Sequence, residues 1–131
     1  MMDKFAVRST EREECVEITQ RVSEIVRASA VFEGACVIAC LHTTAGIFVN
    51  ENADPDVTDD VLAALDGLVP SGRAWKHVEG NAPAHVKAIL TGSSVVIPIS
   101  DGDVQLGRWQ GVFLAEFDGP RDRSVSVQIL S

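Results

Sequence analysis

Three apolar runs close the chain, SVVIPIS (94–100), GVFLAEF (111–117) and SVSVQIL (124–130), and only short connections separate them. Each is rich in β-branched or aromatic residues and has a strand's length. A parallel crossover needs a dozen or more residues, so short connections require antiparallel neighbours. Pro98 cannot donate to a ladder and predicts an edge position or a strand end. Asp101-Gly102-Asp103 reads as a hairpin-type turn. The C-terminal part of the fold is therefore constrained to an antiparallel sheet.

The N-terminal part mixes both periodicities. Residues 4–9 alternate weakly and predict a strand. ITQRVSEIVRASA carries Ile18, Val22, Ile25, Val26 and Ala30 at helical spacing. Gly34 leads into ACVIACLH, a buried-type strand, and GIFVNE predicts another, with Ile47 and Val49 facing opposite to Phe48 and Asn50. Asp54-Pro55 is a helix start, with Asp at the N-cap, Pro at N1 and further acids in the first turn. Gly67 is the expected terminator of that helix. Asn81-Ala82-Pro83 starts a further short helix that ends at Gly92. The class is α+β, and 131 residues without a linker or repeat form a single domain, 1–131.

Charge restricts the partners. With 19 acidic residues against 11 Lys and Arg, the net charge is −8. Nucleic acid and anionic membranes both need a basic footprint that is lacking here. A small anionic substrate stays open, because one cationic pocket or a metal overrides the global field locally. No run reaches transmembrane length and the start lacks a signal core, so a cytoplasmic location is expected. Cys15, Cys36 and Cys40 are an odd set. Cys36 and Cys40 share a strand face roughly 13 Å apart, too far for a disulfide, and read as small buried hydrophobes.

Chemistry-bearing residues concentrate in three segments. HTTAGIFVNENADPD holds His42, Thr43, Asn50 and Asn52, the asparagines being either ligand contacts or turn and cap formers. KHVEGNAPAHVK places His77, Glu79, Asn81, His85 and Lys87 around a glycine turn that enters a helix, an arrangement distinct from the HExxH pattern. Glu79 reads as a ligand, an acid/base group, a partner that orients an imidazole, or a solvated carboxylate. GRWQGVFLAEFDGPR sets Arg108, Trp109 and Gln110 on a glycine-bracketed turn that suits ligand stacking or subunit packing. Glu116, inside an apolar strand, needs a partner, for which a histidine, a metal or Arg121 would serve.

These segments together resemble the YjbQ family, described as secondary thiamine-phosphate synthases. The matching blocks are HTTAGIFVNENADPDV, the H-x-E-G-N-x-x-x-H-V-K block from His77 to Lys87, LTGSSVVIPI and GRWQGVFLAEFDGPR, all in family-like order. Arg108 departs from the Thr or Ser that many relatives carry after the glycine. The resemblance implies a two-sheet, mainly antiparallel β-sandwich with about three helices, assembled as a homotrimer. It implies a divalent metal on His42, His77 and His85, zinc-like for three imidazoles, with magnesium as the choice for a diphosphate substrate. Glu79, Glu116 and Lys87 are the expected catalytic groups. Thr43, Asn50, Asn52, Asn81, Arg108, Trp109 and Gln110 are the expected contacts to a phosphorylated small molecule. The implied activity joins a pyrimidine pyrophosphate to a thiazole phosphate and releases pyrophosphate. Metal-assisted hydrolysis and a non-catalytic trimeric binding or structural role are the alternatives.

Overall fold

The computed structural model describes residues 2–131 and contains two antiparallel sheets and three helices. The chain begins with β1 (Met2–Arg8) and β2 (Glu14–Glu17), then α1 (Thr19–Ala28), β3 (Gly34–Cys40) and β4 (Ala45–Glu51). Two helices follow, α2 (Pro55–Leu68) and α3 (Ala82–Thr91). The C-terminal part supplies β5 (Ser94–Ser100), β6 (Asp103–Val104), β7 (Gln110–Glu116) and β8 (Asp122–Leu130). One sheet has the order β1-β8-β3-β5-β6 and the other β2-β7-β4.

Strand alternation builds the layers. Ile38, Ile97, Ile99, Val125 and Val127 of the larger sheet meet Ile47, Val112 and Leu114 of the smaller one in the main core. Val22 and Val26 of α1 close its side. Cys36 and Cys40 are buried in this core as expected. On the other face of the smaller sheet, Phe48 and Phe113 stack 5.3 Å apart. There Ala115 and Phe117 pack with Ala84 and Ala88 of α3 and with half-buried Leu62 and Leu65 of α2. The order is therefore sheet, sheet, helices.

Most local signals hold. The Asp54 side chain accepts the Asp56 N–H at 2.9 Å, as an N-cap should. Gly92 closes α3 at φ 92°, and Asp101-Gly102 turns the chain with both φ angles positive. Pro98 lies on β5 beyond the reach of β6, which pairs only with Ile99 and Ser100. Three expectations fail. The three C-terminal runs are not antiparallel neighbours: β3 separates β5 from β8 in the larger sheet and β7 lies in the smaller one, because the short connections cross between the sheets instead of turning within one. Gly67 does not end α2; the helix runs on to Leu68. Pro70 is the real stop, because a residue before proline is driven out of the α region, and Val69 sits at φ −125°, ψ 81°. The third miss is β2, whose two glutamates hide its pattern. Its Val16 faces the main core while Cys15 faces the helix layer, the alternation of a strand pairing with β7.

One glycine locks a helix to a sheet. A Cβ at Gly46 would collide with Thr91 Oγ1 and approach Gly92 O at 2.6 Å. Gly92 O also accepts the Ile47 N–H at 2.9 Å, so the end of α3 is pinned on β4. Gly46→Ala should destabilise the fold by about 1–3 kcal/mol through overpacking, read as a lower urea midpoint with an unchanged slope.

Candidate functional site

Three corners of the chain meet at one end of the smaller sheet. They are the β3–β4 corner (41–44), the entry to α3 (79–85) and the β7–β8 corner (117–123). A buried ion pair joins them. Glu116, fully buried in β7, pairs with the Nε–Nη2 edge of the Arg123 guanidinium: Nε donates to Oε1 at 2.8 Å and Nη2 donates to Oε2. Arg123 Nη2 also donates to Thr44 Oγ1 at 2.8 Å, which fixes the β3–β4 corner. Ser9 Oγ donates to Glu116 Oε1 at 2.6 Å, and Asp118 N donates to Oε2 at 3.0 Å.

Asp118 carries the order onward to the helix. Its Oδ2 accepts Asn81 Nδ2 at 2.9 Å and Arg121 Nη2 at 3.0 Å. Asn81 O accepts the amides of Ala84 and His85, so Asp118 sets the first turn of α3 and the root of His85. Burial alone would push the Glu116 carboxyl up; the bonds from Arg123, Ser9 and Asp118 N more than offset this and hold it below its ordinary range. Asp118 is held low in the same way by Asn81 and Arg121.

His42 is oriented by the backbone. Leu41 N donates to Ser124 O at 3.1 Å, and Ser124 N donates to His42 Nε2 at 2.8 Å. The lone pair of Nε2 is therefore in use, and the ring proton belongs on Nδ1. Burial, with the nearby Arg123 charge, lowers the His42 pKa and keeps the ring neutral.

A polar cleft of about 340 Å³ opens between the corners, lined in part by His42, Thr43, Glu79, Asn81, His85 and Arg121. His42, Thr43 and His85 also wall an adjoining pocket of about 480 Å³ whose other sides are Ala45, Ala88, Ile89, Gly92 and Ser93. His77 meets His85 edge to face, with ring centroids 5.0 Å apart, and lies 3.6 Å from Glu79. Of the expected site residues, Thr43, Glu79 and Asn81 thus join the histidines.

The others do not. Lys87 is buried away from the cleft and donates to Glu13 Oε2 at 2.7 Å and to Asp66, so it ties α3 to α2 and the N-terminal segment. Glu116 is sealed behind Arg123 and cannot act as a base on substrate; its partner is Arg123 rather than Arg121. Asn50, Asn52, Arg108, Trp109 and Gln110 stand at the opposite end of the smaller sheet, where Glu51 pairs with Gln110 while Ala45 pairs with Glu116 at the cleft end. Six residues of strand separate the two ends by roughly 20 Å. Asn52 there donates to Glu17 Oε2 at 2.8 Å, and the Arg108 guanidinium lies 4.8 Å over the exposed Trp109 ring. Ser9, Asp118 and Arg123 escape sequence reasoning; a glutamate inside an apolar strand is the signal that calls for Arg123.

The donor set does not fit a zinc-like ion as it stands. Among the described residues no three His, Cys, Asp or Glu side chains are placed to hold one ion. His42 would have to release Ser124 N–H before it could ligate through Nε2. The cysteines offer no substitute: burial, together with Asp59, Glu14 and Glu13, pushes the Cys15 thiol up to about 12, and burial raises Cys36 and Cys40 as well.

Glu116→Gln removes one partner of the buried pair and should cost about 3–5 kcal/mol in urea unfolding at pH 7. A carboxyl held low in the folded state stabilises above its unfolded pKa, so wild-type stability should fall as pH drops through about 4.3 and below; Glu116→Gln should flatten that slope. His42, a depressed base, should titrate below about 6.5 by NMR, with the Ser124 amide shifting at the same pH. A His42 pKa above that value would contradict the Nε2 assignment.

The model for the YjbQ-like UPF0047 proteins matches residues 3–131. The UPF0047 protein MJ1081 of Methanocaldococcus jannaschii is 46% identical over 130 residues, covering 99% of this chain and 94% of that protein. YugU of Bacillus subtilis is 39% identical over 131 residues, covering 99% of each. Among solved structures, a YjbQ/UPF0047 protein of Clostridium acetobutylicum superposes with a TM-score of 0.95 at 48% identity, covering 98% of this chain and 99% of that one. A YbjQ-like protein of unknown function from Sulfolobus solfataricus superposes with a TM-score of 0.96 at 36% identity, covering 100% and 96%. With the family model matched over nearly its whole length, this chain belongs to the YjbQ-like UPF0047 family.

Proposed function

We propose that the chain is a small-molecule transferase that joins a pyrimidine pyrophosphate to a thiazole phosphate, and that the His42–His85 cleft is its active site. The observation that supports this reading is the shared wall: His42, Thr43 and His85 border both a polar cleft and a pocket walled by Ala45, Ala88 and Ile89. Such a pair of lobes suits a flat heterocycle that carries an anionic group.

The chemistry asks little of acid/base groups. The thiazole nitrogen uses its lone pair to bond the carbon that carries pyrophosphate, while that C–O bond breaks and its electron pair leaves with pyrophosphate. No proton moves. The site must hold the two reactants in line and stabilise charge that grows on the leaving oxygen. Arg121, the Nδ1–H of His42 and the Thr43 hydroxyl are the donors for that task, and His85 positions the ring. Magnesium suits this chemistry better than zinc; Glu79, largely exposed at the cleft, would hold it together with the substrate's phosphates, where it would neutralise the leaving group. The hydrolytic alternative has lost Glu116, one of its two bases, to the Arg123 pair.

The homotrimer belongs to the same proposal. Trp109, 55% exposed under Arg108 and remote from the cleft, suits a subunit contact better than substrate stacking. Purified protein given both substrates and magnesium should form thiamine phosphate, and His85→Ala should slow this by about 10²-fold with an unchanged melting temperature. No product above the uncatalysed rate would overturn the reading. Zinc at one ion per chain, lost in His42→Ala, would instead restore the three-histidine metal site.

A further inference from the structure

Ser9 directly follows β1 and is fully buried. A buried hydroxyl is costly unless it is bonded, and this one is bonded on both sides. Its Oγ donates to Glu116 Oε1 at 2.6 Å and accepts the Arg121 N–H at 2.8 Å. Ser9 N in turn donates to Arg121 O at 2.9 Å, so both backbone polar groups of Arg121 are held by one residue. The β7–β8 corner is packed against the same segment. Gly119 N donates to Arg12 O at 2.9 Å, and a Cβ at Gly119 would collide with Glu11 O and come within 2.8 Å of Ser9 Oγ. Glu14 Oε2 accepts the amides of Thr10 and Glu11 and fixes that turn. The Arg121 side chain, by contrast, is anchored within its own corner: Nε donates to Asp118 O at 2.8 Å and Nη2 to Asp118 Oδ2 at 3.0 Å. The position of the guanidinium therefore follows the backbone on which Arg121 and Asp118 sit. Among the described residues nothing else bonds it, so its Nη1–Nη2 edge is left to donate, on a half-exposed side chain that lines the polar cleft. Two parallel N–H groups on one edge match two oxygens of a phosphoryl group.

We propose that Ser9 is the positioning residue for Arg121, and that it holds the corner in the shape in which the guanidinium edge grips a phosphoryl oxyanion in the cleft. Position 9 needs a hydroxyl, because one group must donate to a carboxylate and accept from an amide; alanine does neither, and a thiol does both weakly. Glu116 keeps its other donors without it: Arg123 Nε and Nη2 and the Asp118 amide still reach the carboxylate. What goes with the Ser9 hydroxyl is the tie from that carboxylate to Arg121 N. The inference rests on the reading of the cleft as the place where a phosphorylated substrate binds, and it adds how the accessible cation of that cleft is aimed.

A double-mutant cycle with inorganic pyrophosphate as the probe tests this. Binding to the full-length protein is measured by calorimetry at constant ionic strength in wild type, Ser9→Ala, Arg121→Ala and the double variant. Arg121→Ala should weaken binding by about tenfold or more, as the loss of a charged bidentate contact. Ser9→Ala should weaken it by about three- to tenfold, the scale of one ordinary hydrogen bond, and should add nothing once Arg121 is alanine. A general loosening of the fold would lower affinity equally in both backgrounds, and that result would overturn the inference. So would a Ser9→Ala protein that binds as tightly as wild type while Arg121→Ala binds weakly. If Ser9→Ala does not fold, Ser9→Cys, which keeps the size and only a weak donor and acceptor, takes its place in the cycle with the same outcomes. Wild type that does not bind pyrophosphate, or that binds it equally well without Arg121, would instead contradict the cleft as an oxyanion site and remove the Ser9 role along with it.

Discussion

The Glu116–Arg123 pair organises the functional end of this molecule. It is out of water on both sides, and such a pair gives little net stability over a hydrophobic one. What it does is fix geometry. Arg123 reaches Thr44 and with it the strand end that carries His42; Glu116 holds Asp118, which holds Asn81 and the first turn of α3 under His85. Three segments far apart in sequence are thereby set within one cleft. Breaking the pair leaves a charge without a partner, so this arrangement is expensive to lose even though it adds little stability on its own.

The charge pattern around the cleft follows from that hub. Glu116 and Asp118 are both held ionised by the donors that surround them, and they spend their charge inward on the scaffold. His42 stays neutral because burial and Arg123 oppose its protonation. An acidic protein thus sets Arg121 and a neutral His42 beside the Glu79 carboxylate at this cleft.

Much of the fold was legible because local chemistry and tertiary structure agree. Asp54-Pro55, Asn81 and Gly92 mark helix ends with residues suited to those positions, and the apolar runs 94–100, 111–117 and 124–130 match strand lengths. Strand β2 was not legible, since Glu14 and Glu17 mask a two-residue alternation that only pairing with β7 reveals. Gly67 misled because a glycine can sit inside an exposed helix at modest cost, whereas Pro70 cannot continue one. The site was half legible. His42, Thr43, Glu79, Asn81 and His85 converge, but Lys87 and Glu116 turn inward to ion pairs, and the Asn50 to Gln110 group lies a full strand length away. Polar residues flagged by type alone do not reveal which end of a strand they occupy or whether a partner already holds them.

The central claim is that the Glu116–Arg123 pair positions the cleft and leaves the far end of the sheet independent. Arg123→Lys tests it most directly, because lysine keeps the charge but cannot reach Glu116 and Thr44 together with a planar fork. In NMR spectra of the folded variant, the imidazole signals of His42 and His85 and the Asn81 side-chain amide should all shift, while the Trp109 indole stays in place. Histidine and Asn81 signals that coincide with wild type would contradict the account.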